Sequence, residues 1–264
     1  MRSIPLFLLL ACLMVPSHAA AQKRYDTGAS DTEIKIGQTA PYSGPMSGFG
    51  TIGRAQAAYF AMVNAQGGIN GRKIKFISLD DGYNPARTVE HVRRLVEQDG
   101  VLLIFNPIGA PTNSAIQKYL NAHKIPHLFV GAGDSRFGDF RQFPWTMGFH
   151  QTNYAEGKVY ATYILEHHPD ARIGVLYLND SYGKELLQGL REGLGARAKT
   201  MLVAAESYEL QDPTVDSQIA SLRASGANVF VNFALPKAAT QAIRRAGAQV
   251  LRSLAAWESP FCDG

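Results

Sequence analysis

IKIGQTAPYSGPMSGFGTIG, residues 34–53, sets three kinds of sequence end to end. Ile34-Lys35-Ile36-Gly37 alternates apolar and polar and stops at Thr39-Ala40-Pro41, which predicts a short strand with one apolar side. Tyr42 to Gly50 is a loop of Gly, Ser and Pro with little side-chain bulk. From near Thr51 a helical pattern runs through Ala55, Ala58, Tyr59, Met62 and Val63. A strand that ends in a small-residue loop opening a helix exposes main-chain N–H groups beside the positive helix end, a place suited to a carboxylate, a phosphate or another acceptor. Phe49, an aromatic at the far end of that loop, supplies an apolar wall.

The same unit repeats outward. The first helix stops at Gln66-Gly67-Gly68-Ile69-Asn70-Gly71. Lys73 to Leu79 is a second strand ending at Asp80-Asp81-Gly82, and Asn84-Pro85 starts a helix reaching about Gln98. Val101 to Phe105 is a continuous apolar run, as in a strand buried on both faces. Asn106 to Thr112 is another small-residue loop followed by a helix to about His123. Ile125 to Val130 is a fourth strand, ending in Gly131-Ala132-Gly133-Asp134. Residues 137–149 read as irregular. From Tyr154 the alternation restarts, with strands at 172–178, 201–205 and 228–233 and helices between and after them. Strand–loop–helix alternation predicts parallel sheets with helices on both faces and a ligand crevice at the carboxyl ends of the strands. The expected division is a leader at 1–21, a first α/β lobe at 22–149, a second at 150–246, and a tail at 247–264.

Composition narrows the function. With 46% hydrophobic and 18% charged residues the chain is a folded globular one. A net charge of +4 is spread along the sequence, with tight basic pairs only at Arg93-Arg94 and Arg244-Arg245, so no nucleic-acid partner is expected. Met1-Arg2-Ser3, the apolar run Ile4–Val15 and Ala19-Ala20-Ala21 have the order of a cleavable secretory signal, which predicts a periplasmic protein. Cys12 lies inside that run, which continues past it, so it reads as part of the apolar segment and not as a lipidation site. Cys262 then has no partner for an intramolecular disulfide.

Gly48-Phe49-Gly50-Thr51-Ile52-Gly53 spells G-x-G-x-x-G, and Asp80 stands where a ribose-binding acid would. The dinucleotide fingerprint needs its first glycine directly after the strand, whereas here two prolines intervene. No cofactor is therefore expected. Asp80-Asp81 has no His or Cys at ligand spacing and reads as a polar strand end, not a metal site. His167-His168 before Pro169 reads as a helix terminus. No catalytic triad signature is present, and no catalytic residue or metal ligand is assigned. Tyr182, just after a strand, is either a packing residue or a pocket wall.

IKIGQTAPYSGPMSGFG, NAQGGINGRKIKFISLDDGYNP, KYLNAHKIPHLFVGAGDSRF, FPWTMGFHQTNYAEGKVYATYIL and IGVLYLNDSYGKELLQGLREGL together closely resemble the periplasmic substrate-binding proteins of branched-chain amino acid ABC importers. The resemblance runs from about Ile34 to Arg245. It implies a type I periplasmic binding protein, two Rossmann-like α/β lobes joined by a multi-strand hinge, closing over a small molecule and delivering it to a permease in the inner membrane without chemistry. Carried over by motif, Phe49 walls the apolar side, the loops at Gly109, Ala110 and Thr112 and at Gly131, Ala132 and Gly133 hold a carboxylate, and Tyr182 approaches from the second lobe. Where amino acid binders carry hydroxyl residues, Ala110 and Gly133 stand here, leaving main-chain N–H donors. The Phe-Pro-Trp-Thr variant resembles a branch linked with amides, aromatic acids and other small carboxylates. From Ala246 the resemblance fades, which implies an incomplete second lobe with an exposed sheet edge. A sensor domain of the same fold and an exported dinucleotide-dependent oxidoreductase are the alternatives.

Overall fold

The computed structural model describes residues 24–247 and the backbone of 252–254. The leader expected at 1–21 and most of the expected tail lie outside the described residues. Two parallel sheets carry the fold, each flanked by helices on both faces, as the alternation predicts.

The first sheet has strand order β2-β1-β3-β4-β5, with β1 Glu33–Ala40, β2 Lys73–Asp80, β3 Leu103–Phe105, β4 His127–Val130 and β5 Thr146–Gly148. Helices α1 (Gly50–Ala65), α2 (Pro85–Glu97) and α3 (Ala110–Ala122) connect its first four strands. On one face, Val92 and Leu95 of α2 and Ile116 and Leu120 of α3 close over Val101 and Ile104. On the other, Phe60 of α1 meets Phe76 and Phe105, and the rings continue through Phe129 to Phe149 at centroid spacings of 5.2–5.9 Å.

The sheet corrects one expectation. Residues 146–148, read from the sequence as irregular, form edge strand β5, parallel to β4. Three residues after Pro144-Trp145 are too few to show a period. The register shift between His127 and Val130 marks a bulge in β4, with Phe129 at φ 56°.

The second sheet has the order β7-β6-β8-β9, formed by β6 Ile173–Leu178, β7 Leu202–Tyr208, β8 Val229–Phe233 and β9 Arg252–Leu254. Its helices are α4 (Asn153–His167), α5 (Ser181–Leu194), the single turn α6 (Ala198–Met201), α7 (Asp216–Ala224) and α8 (Pro236–Gly247). Alternation along the strands splits the core. Ile173, Val175, Val229 and Val231 face α4 and α5, while Leu176, Leu178 and Phe230 face α7 and α8. β9 falls inside the stretch read from sequence as a tail beginning at 247, and it pairs with β8 from Val229↔Arg252 to Val231↔Leu254. The sheet therefore runs on past the end expected at Ala246.

Helices α4 and α5 approach so closely that glycines are required. A Cβ on Gly157 would lie 2.2 Å from the Leu186 carbonyl oxygen, and one on Gly189 would lie 2.1 Å from that of Tyr154. Among the described residues the chain crosses between the sheets once, at residues 149–152. The multi-strand hinge that the resemblance implies is not among them.

Candidate functional site

Parallel strands in the order β2-β1-β3-β4 bring the loops after them to one side of the first sheet. Main-chain bonds stitch the tips together: Ile108 N–H donates to Thr39 O at 3.2 Å, Gly109 N–H to Gly131 O at 3.2 Å, and Gly131 N–H to Pro107 O at 3.0 Å. The small residues are therefore used partly for close approach between loops. Gly109 and Gly131 were expected to offer free donors, and their N–H groups are already paired.

Thr112 also departs from expectation. It is fully buried, and its hydroxyl faces the carbonyl oxygens of Ile108 at 2.6 Å and Gly109 at 2.9 Å. A hydroxyl has one proton, so in this arrangement none is left to donate to a carboxylate. Burial raises the Tyr83 pKa, and the Ala110 N–H at the first residue of α3 lies near enough to offset part of that rise. A Cβ on Gly109, at φ 106°, would lie 2.4 Å from Cε2 of the same Tyr83 ring. The Tyr83 ring thus lies against the residue that precedes α3. Sequence reasoning missed Tyr83, because DDGYNP reads as a turn and nothing in it says where the turn aims.

The Asp80-Asp81 pair explains that aim, its carboxylates accepting from the loops around it. Asp80 Oδ1 accepts from Tyr42 N, Ser43 N and Gly82 N at 2.9, 3.1 and 3.0 Å, tying the β1 loop to the end of β2. Desolvation pulls its pKa up, but the donors of Ser43, Gly82 and Tyr42 outweigh it and hold the carboxyl below its ordinary value. Asp81 Oδ1 accepts from Tyr83 N at 2.9 Å, and its Oδ2 from the Thr88 hydroxyl at 2.9 Å. This bond helps hold Tyr83 at φ 63°, a left-handed conformation that is rare outside glycine.

The glycines of the G-x-G-x-x-G stretch serve packing. A Cβ on Gly50 would lie 2.8 Å from Pro41 O, and one on Gly53 would lie 2.1 Å from the Tyr42 hydroxyl. That hydroxyl bonds Ser78 Oγ at 2.6 Å beneath the start of α1. Phe49 is half-buried at the N-cap of α1, on the loop of β1, the strand next to β3.

The second lobe meets these loops through the start of α5. Glu185 accepts from Ser135 N–H at 3.1 Å, through Oε2, and from the Ser135 hydroxyl at 3.3 Å. Tyr182 and Asp180 lie close enough to Tyr83 for their charges, after burial, to raise the Tyr83 pKa. Tyr182 thus stands beside the first-lobe loops while also packing against both cores of its own lobe. Ala132 and Gly133 continue the β4 loop. The Gly133 carbonyl accepts from Asn153 N at 2.7 Å, and a Cβ on Gly133 would lie 2.3 Å from Asn153 Oδ1.

Burial raises the pKa of Asp134, Asp180 and Glu185 above ordinary carboxylate values, and the Asp134 charge adds to the rise at the other two. Sequence reasoning passed over this acidic group because its members come from separate loops. Its one legible signal is an acid, Asp134, following an otherwise small-residue strand tip. Among the described residues no group of three or more His, Cys, Asp or Glu is placed to hold a metal ion. No helix among them is long and apolar enough to cross a membrane.

Two parallel-sheet lobes with their loops facing across a single boundary define the class of the bilobal ligand-binding proteins. The profile of the periplasmic binding protein family matches residues 33–254, and the chain belongs to that family. It is similar to an amino acid binding protein of Pseudomonas aeruginosa, 26% identical over 203 residues, covering 75% of this chain and 52% of that protein. It is also similar to Leu/Ile/Val-binding protein homolog 2 of Brucella abortus, 24% identical over 227 residues, covering 86% of this chain and 60% of the relative. Among solved structures, the branched-chain amino acid transporter substrate binding protein of Streptococcus pneumoniae, in complex with isoleucine, aligns with a TM-score of 0.73 at 20% identity. That alignment covers 85% of this chain and 63% of the other, and it shows the type I periplasmic binding fold. The chain spans 52–60% of the two curated relatives. The family and the fold are those of solute-binding proteins.

Proposed function

We propose that this chain is the exported solute-binding component of an ABC importer, taking an amino acid or a related small carboxylate or amide between its lobes and presenting it to a membrane permease. Periplasmic location follows from the same reading. The observation that carries it is that Asp180 and Tyr182, at the start of α5, stand beside Tyr83 of the β2 loop and Asp134 after the β4 loop, in a family of solute binders. Two relatives named for amino acid or Leu/Ile/Val binding support the ligand class. A sensor role differs from this reading in the partner and not in the pocket, and nothing observed favours it.

A thermal melt of the purified chain against amino acids, amides and aromatic acids tests the proposal. A ligand present at about a hundredfold its dissociation constant adds about 2.7 kcal/mol of stability. One member of the panel is expected to raise the midpoint in a saturable way. No saturable shift across the whole panel would count against a solute-binding role.

A further inference from the structure

Helix α5 and strand β6 border a cavity of about 320 Å³ on the second lobe. Lys184, Gln188 and Arg191 line it from α5, at i, i+4 and i+7, a spacing that sets them along one face of the helix. Leu187 and Tyr177 give it an apolar floor, Leu187 buried and Tyr177 packed at the edge of the core. The boundary between the lobes lies elsewhere. α5 meets the first lobe through Tyr182 and Glu185, and neither lines this cavity.

The cations of this cavity are unpaired. Among the described residues, the side chains of Lys184 and Arg191 make no hydrogen bond and no ion pair, and Lys184 acts on Asp180 through its charge alone. The Tyr177 hydroxyl has no hydrogen-bond partner among them either. The one acid in the lining, Glu192, is already engaged. Its Oε1 accepts from Gln188 Nε2 at 2.9 Å, its Oε2 accepts from the Tyr154 hydroxyl, and the Lys158 charge acts on it as well. An ammonium entering here meets two like charges. An anion meets two cations and a free hydroxyl over an apolar floor, the surroundings in which charge-assisted hydrogen bonds are strong.

We propose that this cavity takes a phosphate monoester group, Lys184 and Arg191 donating to its oxygens with the Tyr177 hydroxyl beside them and Leu187 under the attached body. A phosphate monoester carries close to two negative charges at neutral pH and presents three acceptor oxygens, which matches two cations and a hydroxyl. A single carboxylate would leave one cation unmatched. The Arg191 guanidinium adds parallel donors whose fork fits such an oxyanion. The site lies outside the solute-binding reading and stands without it.

Calorimetric titration of the purified chain with phenyl phosphate and with benzoate tests it, at about pH 7.5 and about 0.15 M salt, where the ester is largely a dianion and distant surface charges are screened. Phenyl phosphate is expected to bind saturably, and benzoate about tenfold more weakly. Lys184→Gln and Arg191→Gln are expected to melt as the parent does, since both side chains are exposed, and each to weaken phenyl phosphate by about tenfold. Silence with phenyl phosphate overturns the inference. So does affinity left unchanged by either variant, or benzoate binding as tightly as the ester. Both variants should respond to the amino acid and amide panel as the parent does, and a panel response lost in them would place their effect at the lobe boundary and overturn it too. Vesicles of phosphatidylcholine with and without phosphatidic acid separate the sources of the group. Pelleting that requires phosphatidic acid assigns it to a lipid headgroup, and no pelleting assigns it to a soluble ester.

Discussion

Tyr83 is held in place from two sides. Its backbone sits at φ 63° with its N–H on Asp81, and its ring lies against Gly109 at the head of α3. The positive-φ strain costs of order 1–3 kcal/mol, which the Asp81 bond helps to offset. Tyr83→Ala is expected to uncover the helix terminus. Small carboxylates should then bind about tenfold more tightly than to the parent chain, as measured by calorimetry. An unchanged affinity would mean that the terminus was not the obstacle.

His127 shows a second residue-level effect. Its Nε2 bonds Asn113 Oδ1 at 2.8 Å, and Asn113 Nδ2 in turn bonds the Pro107 and Gly109 carbonyls under the site. Burial lowers the His127 pKa from 6.5 to about 3. The unfolded chain therefore accepts a proton that the folded chain refuses. Stability is full above pH 6.5 and falls toward pH 3, by about 1.4 kcal/mol per pH unit crossed. Asp81, Asp134, Asp180 and Glu185 act oppositely, because their raised pKa values make the folded chain the better proton acceptor as pH falls toward their unfolded values. Urea melts at pH 7 and pH 4.5 should show a net loss for the parent chain and a smaller one for His127→Gln. Equal losses would remove His127 as the cause.

At the scale of elements, the main strands and helices were legible because each has either a long apolar run or a clear stop. Glu33–Ala40 and Lys73–Asp80 alternate, and the glycines at 67, 68 and 71 end α1. β5 and β9 were not legible, since three residues carry no period and their pairing is decided by neighbouring strands. The loops at Gly109 and Gly131 were found by their small residues, but which donors are free was not. That depends on bonds between loops far apart in sequence, such as Gly109 N–H to Gly131 O. Asp134 was quoted in its loop without a role for the same reason: its surroundings are supplied by α4 and α5. The α4–α5 contact gives a prediction at this scale. Gly189→Ala would place a methyl 2.1 Å from the Tyr154 carbonyl oxygen and force backbone to move. A loss of about 1–3 kcal/mol in denaturant melts is expected, and a loss under about 0.5 kcal/mol, the range of an ordinary surface change, would mean the helices can part without cost.

Across the whole molecule, the lobes touch through polar groups. Glu185 grips Ser135 by its N–H and hydroxyl in an exposed setting. Glu185→Ala should therefore lower stability by no more than about 1 kcal/mol, while small-angle scattering should record a more extended unliganded chain. An unchanged scattering profile would show that other contacts hold the lobes.

Asn153 gives the chain a mechanical property. It is the first residue of α4, its N–H holds the Gly133 carbonyl, and its side chain holds Asp134. α4 is in turn locked by its glycines against α5, whose opening turn carries Tyr182. A force on the β4 loop would thus pass through Asn153 into a pair of rods that move as one, carrying Tyr182 with them.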